Sequence, residues 1–360
     1  MRIRKDRDFF SMFDEATGSY LRSGVMVDGR DTGEDPFMAS FPELLDVGIM
    51  GHCAHGRAGL CVAAGIECYQ RGLTRDTPNM SLEDFCWVAE QCRDRTYQFA
   101  LGGAGDPDQH EDFEAILKAC HDARIVPNFT TSGLGMTSDI ASLCARYCGA
   151  VAVSWYRSPY TLDAISCLLE AGVKTNVHYV LSNATVAEAV ERLERDDFPA
   201  GINAVIFLLH KPVGQGTREQ VIGCSNEAFW RLVSLVDGRD HPFAIGFDSC
   251  TVPALVRKAH SIDPRSLDTC EGARWSAYIT PDLKMLPCSF DNQDIRWAVD
   301  LHGSSIAEAW EGPVFEDFRR RLRSACPACP VRDGCMGGCP IRPEIVLCHD
   351  PARTCQSASA

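Results

Sequence analysis

The chain has 360 residues, 45% of them apolar and 23% charged, with a formal net charge of −14 and a pI near 5.2. That balance excludes a broad surface for phosphate backbones or anionic membranes, so neither nucleic acid nor membrane is an expected partner. No apolar run approaches the roughly 20 residues that cross a bilayer, and the basic start MRIRKDRDFF has no apolar segment behind it; the expected location is cytoplasmic.

The first 43 residues predict little beyond a hairpin at Asp28-Gly29. From residue 44 to 247 apolar, strand-length runs alternate with helical-period segments. Strands are expected at Leu44–Met50, Gln98–Leu101, Ile125–Phe129, Ala150–Ser154, Lys174–Val180, Ala204–Leu209 and Phe243–Ile245. Helices are expected at Ser81–Gln91, Asp112–His121, Asp139–Tyr147, Thr161–Ala171, Thr185–Leu193 and Asn226–Val236. Such alternation means a parallel sheet covered by helices, either an open barrel or a doubly wound sheet, with ligands at the carboxyl ends of the strands. After residue 248 the alternation stops. The remainder is rich in Cys, Pro and Gly, with a helix at Val314–Ser324 and too few apolar residues for a separate core, which points to bound metal as its organiser. The expected division is an N-terminal extension (1–43), an α/β barrel (44–247) and a cysteine-rich domain (248–360).

Nineteen cysteines are the anomaly. In a chain without an export signal clustered thiols read as metal ligands and scattered ones as small core residues. Three fall on one loop after the first strand, in Gly51-His52-Cys53 through Cys61 to Cys68-Tyr69-Gln70. Three thiolates can hold a [4Fe–4S] cluster with one iron open. After the second strand comes Leu101-Gly102-Gly103-Ala104-Gly105-Asp106-Pro107, where glycines allow backbone to approach a ligand closely. A second array, Cys326, Cys329, Cys335 and Cys339, has C-x2-C-x5-C-x3-C spacing, with Cys250, Cys270 and Cys288 before it and Cys348 and Cys355 after it.

The order of these motifs resembles the radical S-adenosylmethionine (SAM) superfamily, and the second array resembles its SPASM domain. The resemblance implies a partial (β/α)6-type TIM-like barrel followed by a domain holding auxiliary iron–sulfur clusters. The spacing of the first loop, C-x7-C-x6-C, departs from the usual C-x3-C-x2-C, and His55 is an alternative ligand there. By resemblance, Cys53, Cys61 and Cys68 ligate the catalytic cluster. Gly102, Gly103, Gly105 and Asp106 line the SAM site, with Tyr69, Ser154, Arg157, Asn176 and His178 as further cofactor contacts. One auxiliary cluster would take Cys270, Cys288, Cys339 and Cys250; another would take Cys326, Cys329, Cys335 and either Cys348 or Cys355. Leu283 stands where the domain usually has a glycine.

The implied chemistry is reductive cleavage of SAM to a 5′-deoxyadenosyl radical that abstracts hydrogen from a substrate. The substrate is expected to be a peptide or protein side chain that becomes crosslinked, epimerised or oxidised, or alternatively a small metabolite. Asp248 is the candidate base, and Ser289 after Cys288 differs from the aspartate of sulfatase maturases. A low-potential ferredoxin or flavodoxin is the expected electron donor. The 43 leading residues are too few for a leader-binding domain, so a separate peptide-binding partner is an option. A protein of another class, an iron–sulfur electron carrier or a zinc-organised scaffold, has the same cysteines.

Overall fold

The computed structural model describes residues 1–263, 266–324, 335–336 and 338–348. The leading residues form a three-stranded antiparallel sheet of β1 (Arg2–Lys5), β2 (Phe10–Phe13) and β3 (Tyr20–Arg22). The expected hairpin follows as β4 (Met26–Val27) and β5 (Arg30–Asp31), with Asp28 and Gly29 both at positive φ. Phe9 and Phe13 are buried, so this extension is packed down.

The alternating region folds as its periodicity predicts. It comprises β6 (Leu44–Met50), the short α1 (Ala54–Arg57) and α2 (Leu60–Ala63), α3 (Leu82–Cys92), β7 (Gln98–Gly103), α4 (Phe113–Asp122), β8 (Val126–Thr131) and α5 (Ser138–Tyr147). It continues with β9 (Ala150–Ser154), α6 (Pro159–Glu170), β10 (Thr175–Leu181), α7 (Val186–Arg195), β11 (Ala204–Leu209), α8 (Glu227–Gly238) and β12 (Ala244–Phe247). Ser81, Thr137, Ser158 and Asn226 accept side-chain hydrogen bonds from the first turns of α3, α5, α6 and α8, which is why those helices begin near the expected residues.

All seven strands run parallel in sequence order. Their apolar sides, such as Val205, Phe207 and Leu209, pack under the helices, each burial contributing roughly 1.5–3 kcal/mol. Barrel interiors are usually filled with bulky residues. Here the inner face carries Asp46, Gly48, Gly102, Thr130, Ser154 and His178, which leaves space for a polar ligand.

Beyond residue 247 the structure corrects one expectation. α9 (Val252–Lys258) is followed by β13 (Ser276–Ile279), β14 (Lys284–Leu286) and β15 (Val299–Asp300), and then by α10 (Ile306–Glu311) and α11 (Pro313–Ser324). β13 pairs in parallel with β6, so one 10-stranded sheet runs from the barrel into this region. Trp297, Trp310, Phe315 and Phe318 belong to the barrel's own hydrophobic core. The segment is therefore held by shared apolar packing, and not by metal alone. Leu283 turns the β13–β14 hairpin at φ 55°, a left-handed conformation that glycine adopts most readily. Its side chain is buried, and that burial offsets the backbone strain.

Candidate functional site

Strand β6 delivers the chain into the cysteine loop. Cys53 caps α1, its Sγ accepting from the Gly56 amide at 3.1 Å. Cys61 is buried on α2, and the Cys68 Sγ accepts from the Gly72 amide at 3.4 Å. Two of the thiols meet over Gly72: a Cβ there would lie 3.2 Å from Cys53 Cβ and 3.4 Å from Cys68 Sγ. Burial pushes the Cys53 thiol up to about 11, with Asp106, Cys68 and Cys61 adding to the rise. Cys61 is raised by burial and by Cys68. Three thiolates gathered here would repel one another unless a cation lay among them, which is the condition of a metal-cluster site. His55 Nε2 pairs with the Tyr160 hydroxyl at 2.7 Å and its ring packs on Tyr156 at 4.4 Å, which leaves Nδ1 as its one available donor atom.

The glycine motif closes on this loop. A Cβ on Gly105 would lie 2.1 Å from the His52 carbonyl oxygen and 3.1 Å from Cys53 Cα, so only glycine allows this approach. A Cβ on Gly102 would meet nothing within 4 Å, so there is open space at this position on the inner face, next to Gly48 in register. Asp106 accepts from the Ser132 amide at 2.7 Å and from its hydroxyl at 2.6 Å, so the acid anchors the end of β8. Neighbouring Asp108 is buried, and burial together with Asp106 pushes it up to about 7 against the opposing effect of the Thr131 hydroxyl. Its folded value lies above the unfolded one, so its cost appears as pH rises above about 4 and levels off above about 7. Asp108→Asn is expected to stabilise the fold by up to ~4 kcal/mol at pH 8 and by nothing at pH 4, measured by denaturant unfolding at both pH values.

Of the later cofactor candidates, Ser154 and His178 sit opposite each other in register on the inner face. The His178 Nδ1 pairs with the Thr130 hydroxyl at 3.1 Å, and burial lowers its pKa to about 4, which keeps the imidazole neutral. Arg157 is tied to Glu188 at 2.7 Å and to the Ala64 carbonyl at 2.9 Å, bracing the cysteine loop against α7. Asn176 lies at the amino end of β10, where its Oδ1 accepts from Asn203, away from the other candidates.

A second group of thiols surrounds a cavity of about 150 Å³ where the two ends of the barrel face each other. Cys250, Cys270, Cys288 and Cys339 all line it, the set expected for one auxiliary cluster. Burial pushes Cys270 up to about 12 and raises the other three. The Arg342 amide donates to Cys339 Sγ at 3.3 Å, and Gly272 and Phe290 amides serve Cys270 and Cys288 in the same way. Four sulfurs around one cavity, three of them with amide donors, fit a four-iron cluster. Asp248 also lines the cavity, and both its oxygens are engaged: one accepts from Lys211 and from the Leu209 amide, the other from Thr251. That arrangement makes Asp248 the partner that holds a buried Lys211, with Oδ1 the less engaged of its two oxygens. Tyr69 turns toward this second site, its ring 4.9 Å from that of Phe290. Phe290 and Asp46 were not evident as site residues; a lone carboxylate in the apolar run of β6 was the one available signal for Asp46.

Of the remaining array, Cys335 is buried and Cys348 half-buried, while Cys326, Cys329 and Cys355 lie outside the described residues. Among the described residues no three His, Cys, Asp or Glu side chains converge as a single metal ion requires.

No protein-family model matches the chain, and no curated protein matches it in sequence. Solved structures do match in fold. The SAM-bound structure of Streptococcus suis SuiB superposes with a TM-score of 0.64 at 15% identity, covering 84% of this chain and 74% of SuiB. SuiB bound to its precursor peptide SuiA gives 0.63 at 15%, over 84% and 73%. The anSMEcpe structure with bound AdoMet gives 0.58 at 14%, over 88% of this chain and 95% of that one. The chain thus has the mixed α/β fold of these SAM-binding proteins, built on a central parallel sheet, as the sequence resemblance implied. No helix among the described residues is long and apolar enough to cross a membrane.

Proposed function

We propose that this chain is a radical SAM enzyme that modifies a peptide or protein side chain. The observation that carries the reading is the loop after β6, where Cys53 packs against Gly105 and meets Cys68 over Gly72, with Cys61 near enough to raise the Cys53 thiol. Cys53, Cys61 and Cys68 would hold a [4Fe–4S] cluster there, which would supply the electron for reductive cleavage of SAM. The chain's own residues hold and shield that site. Gly105 lets β7 close on the loop, Asp106 fixes the end of β8, and Arg157 braces the loop from behind. Ser154 and the neutral His178 offer polar contacts for SAM on the inner face.

Cys250, Cys270, Cys288 and Cys339 would hold an auxiliary cluster, and Cys326, Cys329, Cys335 with Cys348 or Cys355 a further one. A ferredoxin or flavodoxin would supply the reducing electron. The peptide substrate is supported by the fold shared with SuiB, solved with its precursor peptide SuiA, and with anSMEcpe, solved with AdoMet and the Kp18Cys peptide.

The test is anaerobic purification with iron and sulfide counts, followed by SAM and dithionite with 5′-deoxyadenosine measured. About eight to twelve irons per chain and SAM-dependent 5′-deoxyadenosine are expected. Zinc in place of iron, or iron with no SAM cleavage under any reductant, would replace this reading with a scaffold or an electron carrier.

A further inference from the structure

Asp46 is the third residue of β6, between Leu45 and Val47, which are both in the core. It therefore points to the opposite, inner face together with Gly48. In register it stands beside Tyr278 of β13, whose hydroxyl lies over Gly48: a Cβ there would be only 2.5 Å from it. That hydroxyl is buried, with the side chain of Gln70 as its hydrogen-bonding neighbour. Gln70 Oε1 accepts from Asn292 at 2.8 Å and from Arg75 at 3.3 Å, which leaves its Nε2 to face Tyr278. Tyr278 is 2% exposed and Gln70 4%.

Among the described residues Asp46 makes no hydrogen bond or ion pair, and burial alone pushes its carboxyl up to about 7. The cations around the same cavity are already engaged, Lys211 by Asp248 and Arg342 by Asp294. Glu271, on the same cavity, is a second carboxyl with no salt bridge. An uncompensated carboxyl inside a parallel strand destabilises the fold unless a ligand supplies its counter-charge.

We propose that the Asp46 carboxylate, with the Tyr278 hydroxyl beside it, binds a cationic nitrogen of the substrate, a primary ammonium or a guanidinium. This rests on the radical SAM reading and narrows its substrate class to a lysine- or arginine-bearing peptide, or to a small amine.

The experiment uses the SAM-loaded, unreduced holoenzyme, so that binding is read without turnover. Labelled peptides Ala-Ala-X-Ala-Ala with X as Lys, Arg, norleucine or Glu are titrated, with agmatine as a competitor. The Lys and Arg peptides are expected to bind at least tenfold tighter than norleucine, a preference that Asp46→Asn removes. Asp46→Asn should also raise Tm by about 2 °C, because it removes the unpaired charge. Tyr278→Phe, a milder change, should weaken the Lys peptide several-fold and leave norleucine unaffected. Displacement by agmatine assigns the site to a small amine; a preference confined to peptides assigns it to a side chain. Equal affinity for Lys and norleucine, no binding of either the Lys peptide or agmatine, or a preference that persists in Asp46→Asn overturns the proposal. SAM cleavage by dithionite-reduced wild type is scored separately. Cleavage without a cation preference overturns only this inference, whereas a preference without cleavage overturns the radical SAM reading instead.

Discussion

Replacing Cys53, Cys61 and Cys68 together with alanine is expected to abolish 5′-deoxyadenosine formation and to lower bound iron by about four atoms per chain. The three residues lie on one loop whose thiols influence one another, so single replacements could leave a partly ligated cluster. The triple change removes the site as a unit. The parallel change at Cys250, Cys270 and Cys288 should also remove about four irons, yet leave SAM cleavage measurable, because those thiols surround a different cavity. Iron counts and 5′-deoxyadenosine in the two variants separate the roles. SAM cleavage that survived the first change would show that the catalytic cluster sits elsewhere.

Gly214→Ala should empty the same site without touching a ligand. Gly214 follows β11 at φ 71°, and a Cβ there would lie 2.4 Å from the Tyr69 carbonyl oxygen and 2.6 Å from that of Cys68. The next amide, of Gln215, donates to the Cys68 carbonyl at 2.9 Å, so the loop after β11 is a clamp on the cysteine loop. Alanine adds roughly 1 kcal/mol for the left-handed backbone, and the overlap forces the two loops apart, for a total of about 2–4 kcal/mol. The expected result is a lower Tm and loss of iron from the first site, read by thermal melting and iron content. Gly102→Ala is the contrast. Its Cβ meets no protein atom, so the fold should hold while SAM affinity falls at least tenfold. An unchanged affinity would place SAM away from the glycine motif.

The barrel was legible because its strands and helices repeat at clean periods and its helices begin on good caps such as Ser81 and Asn226. The short strands were not. β1 to β3 and β13 to β15 run for two to four residues, too few for alternation to show, and β13 is fixed by pairing with the distant β6. Cys250, Cys270, Cys288 and Cys339, far apart in the sequence, line one cavity. The engaged state of Asp248 was not readable, because its partner Lys211 lies on a different βα loop. Tyr69 illustrates the same limit. Its place beside Cys68 is visible in the sequence, but its contact with Phe290 exists only once β14 has folded back on the barrel.

The parallel pairing of β13 with β6 also sets an order of events on the ribosome. The strand that carries the cysteine loop gains its second neighbour only when Ser276–Ile279 emerges, roughly 230 residues after Leu44. At ordinary elongation rates that is a delay of roughly 10 to 50 s, during which the β6 edge stays unpaired. An open edge next to exposed thiols is the state most prone to aggregation and oxidation. Slow synthesis and scarce iron during expression should therefore harm this protein before its fold is ever complete.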